Sequence, residues 1–328
     1  MPIPEVDYTA TVQRPVWSQL PGAVHRAVEE AAGDRVVHAA DPPGSGFTGS
    51  FAAVVHLSDG RRAFAKAGSN LNEHVLGALT QEAVVLAALP VGVPAPRLIG
   101  AARLTVDDAD WQVVVTEALP GRIPQPWTPR DLAAVHSACL ASAAALTPAP
   151  PELSLPLLTD ELTDDRRSLE YFDDVAAGTA TPTWGQPAWL VEHAADLSAL
   201  ARLAPSATAG ATGCHGDLRA DNVMVDGDVA VLVDWNWLSQ GAAWTDFVGV
   251  LPLARADGVD VDRLLPRSPL TEGVDPDAID AWLSIIAAYM LASSDDPIWP
   301  GGSEWIRVHQ RRYARTFLDW LGDRRGWS

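Results

Sequence analysis

The chain has 328 residues, which at roughly 150 per domain points to two domains or lobes. Its 48% hydrophobic content is that of a globular protein and excludes a disordered or fibrous chain. The 23 Lys and Arg against 42 Asp and Glu leave a net charge of −19, which argues against a nucleic-acid partner, because phosphates need clustered cations.

The N-terminal MPIPEVDY carries Glu5 and Asp7 and no apolar run, so no secretory signal is expected. RVVHAA (35–40), FAAVVHLSDG (51–60), RRAFAKA (61–67), PRLIGAARLT (96–105) and WQVVVTEAL (111–119) read as strands, with Asp59-Gly60 as a hairpin turn. Between the first two lies DPPGSGFTGS, where Gly44, Gly46 and Gly49 allow close backbone approach and Ser45 and Thr48 offer hydroxyls. This is not a Walker A string, and a plain hairpin loop accounts for it equally well on its own. Lys66, at the end of its strand, is the sole lysine of the chain. Residues 71–89 read as a helix on which Val75, Leu79, Leu86 and Leu89 form a stripe. Position 82 completes its spacings of 4, 3, 4 and 3, and that position is Glu82, while Glu73 lies nearly opposite. A carboxylate on a core-facing stripe needs a partner, and Lys66 on the preceding strand is the natural one.

LPGRIPQPWTPR (119–130) is rich in Pro and Gly and reads as a connector. Helices are expected over about 130–147, 156–177, 187–203, 244–256, 276–293 and 303–321. The uncharged stretch from Leu132 to Pro151 suits a buried helix better than a membrane span, since it contains His136 and ends in prolines. Cys139 and Cys214 form no disulfide framework and no C-x-x-C pair, which fits a reduced, cytoplasmic protein.

A short β region, 212–235, interrupts the helices. With Gly227-Asp228 as the turn, residue 226 pairs with 229, so Asn222 faces Val233 and lies next to Asp234. Asp217 is five positions upstream, on the feeding loop. Three oxygen-bearing side chains thus converge at one end of a ribbon, as Mg²⁺ with substrate phosphates requires. One of the carboxylates is available to accept the proton of an attacking hydroxyl. H-x-D-x-x-x-x-N, then a strand, then a second Asp is a phosphoryl-transfer arrangement.

HGDLRADN with VLVDWNWLSQGAAWTDF resembles the aminoglycoside phosphotransferase and choline kinase-like family. The resemblance implies a two-lobed, protein-kinase-like α+β fold, with a small sheet-rich lobe (1–119) that binds nucleotide and a larger helical lobe (120–328) that carries the catalytic loop and acceptor site. It implies Asp217 as base, Asn222 and Asp234 as Mg²⁺ ligands, and Asp246 as a brace of the catalytic loop. Lys66, held by Glu82, meets the phosphates of ATP or GTP. Gly44, Ser45, Gly46 and Thr48 lie where the phosphate loop belongs, and Glu117 and Leu119 where the hinge holds adenine. Arg219 is either a stabiliser of the transferring phosphoryl group or a solvated loop residue.

For the acceptor, Asp160, Glu161, Asp164 and Asp165 cluster near one helix start, and Asp295, Asp296 and Glu304 flank SSDDPIWPGGSEW. Ten of 13 tryptophans follow residue 150. Together these suit a cationic amino sugar. Helix-dipole and core roles explain the same residues equally well. High Ala and Arg with little Lys suggests a GC-rich genome, compatible with antibiotic resistance. A metabolic sugar, choline-like or amino-acid kinase, a catalytically silent binding protein and, more remotely, a metal hydrolase are the rivals, and the oligomeric state stays open.

Overall fold

Alternation in FAAVVHL and RAFAKAGS, joined at Asp59-Gly60, builds the first hairpin of the computed structural model, which describes residues 3–299 and 301–327. Met1, Pro2 and Pro300, which belong to the N-terminal and acidic-loop readings above, lie outside the described residues. Gly60 sits at φ +88°, a conformation open to a residue without Cβ. The strands are β1 (Val36–Ala39), β2 (Phe51–Leu57), β3 (Arg62–Ser69), β4 (Leu98–Val106) and β5 (Ala109–Glu117). They form one antiparallel sheet in the order β1-β2-β3-β5-β4.

Helices cover both faces of this sheet. Val113 and Val115 of β5 join a core with Val24, Ala27 and Val28 of α1 (Gly22–Ala32). Val114 points the other way, into the core that holds Val75, Leu79 and Leu86 of α2 (Glu73–Ala88). Burial on two sides is why β5 reads as a continuous apolar run rather than an alternating one. Asn72 caps α2 by accepting from Val75 N–H at 3.3 Å.

The rest is mostly helical: α3 (Pro129–Ala145), α4 (Leu158–Asp164), α5 (Arg166–Ala176), α6 (Ala194–Ala207), α7 (Thr245–Ala256), α8 (Val261–Leu264), α9 (Pro276–Ser293) and α10 (Trp305–Arg325). Between α6 and α7 run β6 (Thr212–Cys214), β7 (Val223–Asp226), β8 (Val229–Leu232) and β9 (Ser239–Gly241), paired β6 with β9 and β7 with β8. Helix α9 is buried along most of its length. Its Asp280 carboxylate meets both Arg324 (2.5 Å) and Arg325 (2.6 Å) of α10, a charge kept in the core by two partners. The architecture is therefore the α+β arrangement expected, a sheet-rich N-terminal part followed by a helical one.

Several element boundaries differ from the sequence pattern. The helix expected over 156–177 is two, because Asp165 leaves the helical conformation (ψ 70°) and caps α5 through Ser168 N–H at 3.2 Å. The helix expected from 187 begins at Ala194, after a single 3₁₀ turn at Ala188–Leu190 behind Pro187. Helix α1 has no counterpart in the expectations. Among the described residues no helix is long and apolar enough to cross a membrane.

Candidate active site

The ribbon β7–β8 has the register expected from its turn: Val223 pairs with Leu232 and Asp226 with Val229. Beyond the strands the ladder continues, Val233 N–H donating to Asn222 O at 2.9 Å. Asn222 itself ends a 3₁₀ turn, Ala220–Asn222, rather than opening the strand. Its amide nitrogen donates to the backbone O (2.7 Å) and to Oδ2 (2.9 Å) of Asp217. The three expected residues thus sit at one end of a rigid hairpin.

The loop leading to Asp217 is held from three sides. Asp246, in the first turn of α7, accepts from the backbone N–H of His215 (2.7 Å) and Gly216 (3.0 Å). The buried His215 ring bonds Val233 O through Nε2 at 2.9 Å, which ties the loop to the residue that follows β8. Gly216 turns at φ +81°, and a Cβ there would meet Trp237 O at 2.4 Å. Cys214, next to this loop, is buried and its thiol is pushed up to about 12 by burial, so it is no nucleophile. Asp246→Ala leaves two backbone amides without an acceptor, and urea denaturation is expected to show a loss of about 1–3 kcal/mol. Unchanged stability would remove Asp246 as the brace.

Asp234 adopts φ +70°, which costs a non-glycine residue about 1 kcal/mol. Its neighbour Trp235, fully buried and donating from Nε1 to Leu232 O at 2.7 Å, holds the chain there. The result aims Asp234 at the sheet. Lys66 Nζ lies 2.8 Å from Asp234 Oδ1 and 2.8 and 2.9 Å from the two oxygens of Glu82. Glu82 is 2% exposed, as its place on the apolar stripe of α2 requires. Burial opposes the charge on Lys66, but Asp234 and Glu82 more than offset it and raise its pKa. Burial pushes the Glu82 carboxyl up against the pull of Lys66. For Asp234, the cations Lys66 and Arg219 outweigh burial and lower it. Asp217 is raised, chiefly by burial, with Arg219 opposing. A carboxylate made more basic in this way is a better proton acceptor.

Arg219 is not solvated. Its Nε is 2.9 Å from Asp221 and its Nη2 3.7 Å from Asp217, and the guanidinium stands 5.4 Å from the ring centre of Phe47. Phe47 belongs to the glycine-rich loop, so that loop reaches the loop of Asp217 and Arg219 through this contact. The loop itself is occupied with protein. Thr11 Oγ1 donates to Gly46 O (2.6 Å), Gly44 O accepts from Val12 N–H (2.9 Å), and a Cβ on Gly44 would lie 2.3 Å from Thr9 O. Thr48 bridges to Gly302, and Gly49 N–H donates to Gly301 O at 3.1 Å. Close backbone packing therefore accounts for Gly44. Glu117 ends β5 with both its N–H (3.0 Å) and its Oε1 (2.9 Å) engaged by the backbone of Arg97. Leu119 follows outside the sheet, half-buried.

Whether these residues suit Mg²⁺ follows from their chemistry. Asn222 spends its amide nitrogen on Asp217, so its amide oxygen is what it can offer a cation. Asp234 is 37% exposed at the side chain and open to a ligand. Among the described residues no group of three His, Cys, Asp or Glu side chains is placed to hold a metal alone. One or two protein oxygens completed by phosphates and water is how Mg²⁺ binds, and Asn222 with Asp234 fit it.

The acidic residues noted for an acceptor divide. Asp295 pairs with Arg311, and Asp296 with Arg167 and, by its carbonyl, Arg307, so this loop is largely neutralised. Asp165 is spent as a helix cap. Asp160, Glu161 and Asp164 are exposed, and the chain entering α4 is tied to β9 by Gln240 N–H donating to Pro156 O at 2.8 Å. Tyr289 of α9, 45% exposed, feels the charges of Asp217 and Asp165, which with burial raise its pKa. No motif in the sequence marks it.

A sequence profile of the phosphotransferase enzyme family matches residues 50–282. No curated protein sequence matches significantly. The fold is similar to that of an aminoglycoside phosphotransferase from Alicyclobacillus acidocaldarius, at 15% identity, 96% of this chain, 97% of that one and a TM-score of 0.55. It is also similar to a thermostable mutant of aminoglycoside phosphotransferase APH(4)-Ia in ternary complex with AMP-PNP and hygromycin B, at 13% identity, 92% and 98% coverage and a TM-score of 0.59. A third similar structure is a putative fructosamine-3-kinase from Thermobifida fusca, at 20% identity, 92% and 100% coverage and a TM-score of 0.53.

Proposed function

We propose, on the premise that this chain belongs to the phosphotransferase enzyme family, that it transfers the γ-phosphoryl group of ATP or GTP to a hydroxyl of a small molecule, with an amino sugar of the aminoglycoside type as the first acceptor class. The observation that carries the reading is the Lys66 ammonium, held at 2.8 Å by both Glu82 and Asp234. A lysine from the sheet is thereby joined to the hairpin that bears Asp217 and Asn222.

In this reading residues 1–119 bind the nucleotide and 120–328 supply the catalytic loop and acceptor site. Asn222 and Asp234 would hold Mg²⁺, which would supply charge neutralisation at the phosphates. Lys66 offers a compact cation to the phosphate chain, and Glu82 keeps it aimed. Asp217 accepts the proton of the acceptor hydroxyl as its oxygen bonds to the γ-phosphorus. The bond from that phosphorus to the bridging oxygen breaks, and the nucleoside diphosphate leaves. Arg219, adjacent to Asp217, spreads the charge of the transferring group. The exposed Asp160, Glu161 and Asp164 support a cationic acceptor. The ion-paired Asp295 and Asp296 favour a neutral sugar or other metabolic alcohol as the second reading.

The test is nucleoside diphosphate release by the purified chain with Mg²⁺, ATP or GTP, and a panel of aminoglycosides, amino sugars, neutral sugars and choline-like amines. Release that depends strictly on one acceptor class supports the reading and names the class. Release without any acceptor points to a hydrolase. Absence of Mg-nucleotide binding by calorimetry means a catalytically silent protein and overturns the proposal.

A further inference from the structure

Arg14 lies in the extended segment before α1, far in sequence from every motif of the site. Its guanidinium spans the glycine-rich loop. Nη2 donates to Ser45 O at 2.8 Å, and Nη1 donates to Ser50 O at 2.9 Å and to Ser50 Oγ at 3.3 Å. Both ends of the loop are therefore tied to one rigid, planar cation. Gly46 makes room for it: a Cβ at that position would lie 2.8 Å from Nη2, and the residue turns at φ +88°. Nε is buried without a hydrogen-bond partner, so the hydrogen bonds from Nη1 and Nη2 are what fix the guanidinium on the loop. The charges of Asp234 and Asp221 both act on it.

The loop leads directly to the phosphate site. Past Ser50, β2 places Ala52 opposite Lys66 in the sheet register. Phe47, between the two tied ends, rests on Arg219. Of the loop's other supports, Thr11 and Val12 hold its first half at Gly46 O and Gly44 O, whereas Gly49 N–H to Gly301 O and Ser303 N–H to Phe47 O (both 3.1 Å) cross to the helical half. The bonds from Arg14 stay within the N-terminal part and keep the loop's shape.

We infer that Arg14 is a positioning residue that sets the backbone of residues 45–50 for the nucleotide phosphates. This rests on the phosphotransferase reading above. It predicts a defect confined to the nucleotide. With the full chain and Mg-ATP, Arg14→Met is expected to raise the nucleotide Kd and KM about tenfold, the loss of charge-assisted hydrogen bonds at two carbonyls. The acceptor KM stays within about twofold. Arg14→Lys keeps the charge but cannot fork to both ends, so it gives a smaller rise of about threefold. Amide hydrogen exchange over residues 46–50 is faster in both variants.

Equal nucleotide Kd in parent and both variants, or an acceptor KM that rises in step with the nucleotide KM, overturns the assignment while leaving the kinase reading intact. Failure of the parent itself to bind Mg-nucleotide overturns the kinase reading first, and Arg14's role with it. Should Arg14→Met not fold, the threefold change in Arg14→Lys decides alone.

Discussion

Asp217→Asn is expected to lower kcat on the order of 10²–10⁴-fold while nucleotide affinity stays within a small factor. The substitution is nearly isosteric. The hydrogen bond from Asn222 Nδ2 to the Asp217 backbone O, 2.7 Å, does not depend on the side chain and survives. What is lost is the proton acceptor. Burial has already raised the basicity of this carboxyl. In the parent, kcat/KM should therefore fall as pH drops through a pKa above the usual carboxylate range, because the base works only when ionised. The variant should lose that limb of the profile. Steady-state kinetics across pH, with calorimetry for the nucleotide, give both readouts. Turnover within a few-fold of the parent on a genuine acceptor would sink the assignment.

The second large effect is at Lys66. Lys66→Met removes the cation from Glu82, whose side chain is 3% exposed, and from Asp234, which is partly solvated. Breaking a buried pair by deleting one partner costs about 3–5 kcal/mol. The lower end applies here, because Asp234 can be screened by water and Glu82 can take up a proton. Turnover should fall on the order of 10²–10³-fold with the loss of one preorganised charge at the phosphates. The double variant Lys66→Met with Glu82→Gln separates the two roles. It removes the stranded carboxylate, so thermal stability should largely return, whereas turnover should not. Recovery of both together would make Lys66 a structural residue and nothing more.

Much of the site was legible because its signals are local. The ribbon register follows from one turn: once Gly227-Asp228 is the hairpin, Asn222 must stand beside Val233 and Asp234. Glu82 was found by the helical period alone, since a carboxylate on an apolar stripe has to be paired. Lys66 stood out as the sole lysine. Where the reading slipped, a single side chain outweighed the pattern. Asp165, by capping α5, cut one apolar-periodic stretch into two helices, and Pro187 delayed α6.

The glycine-rich loop shows where local reasoning runs out. Its glycines suited either phosphate approach or a simple turn, and sequence alone had no means to choose. Their neighbours in space are Thr9, Arg14 and Gly301, the last more than 250 residues away. Tyr8 likewise bonds His309 across a separation of 301 residues, at 2.9 Å.

By itself, the sequence determined the chemistry: which carboxylates, amide and ammonium are present, and which hairpin and helix face carry them. Spacing within one element is rigid, so identity and period were enough. Tertiary structure alone decided that the Lys66–Glu82 pair also reaches Asp234, that Arg219 is sandwiched rather than solvated, and that Arg14 ties the loop from outside every motif. Those contacts depend on how separate elements pack, and packing is set by the whole core rather than by any short stretch of chain.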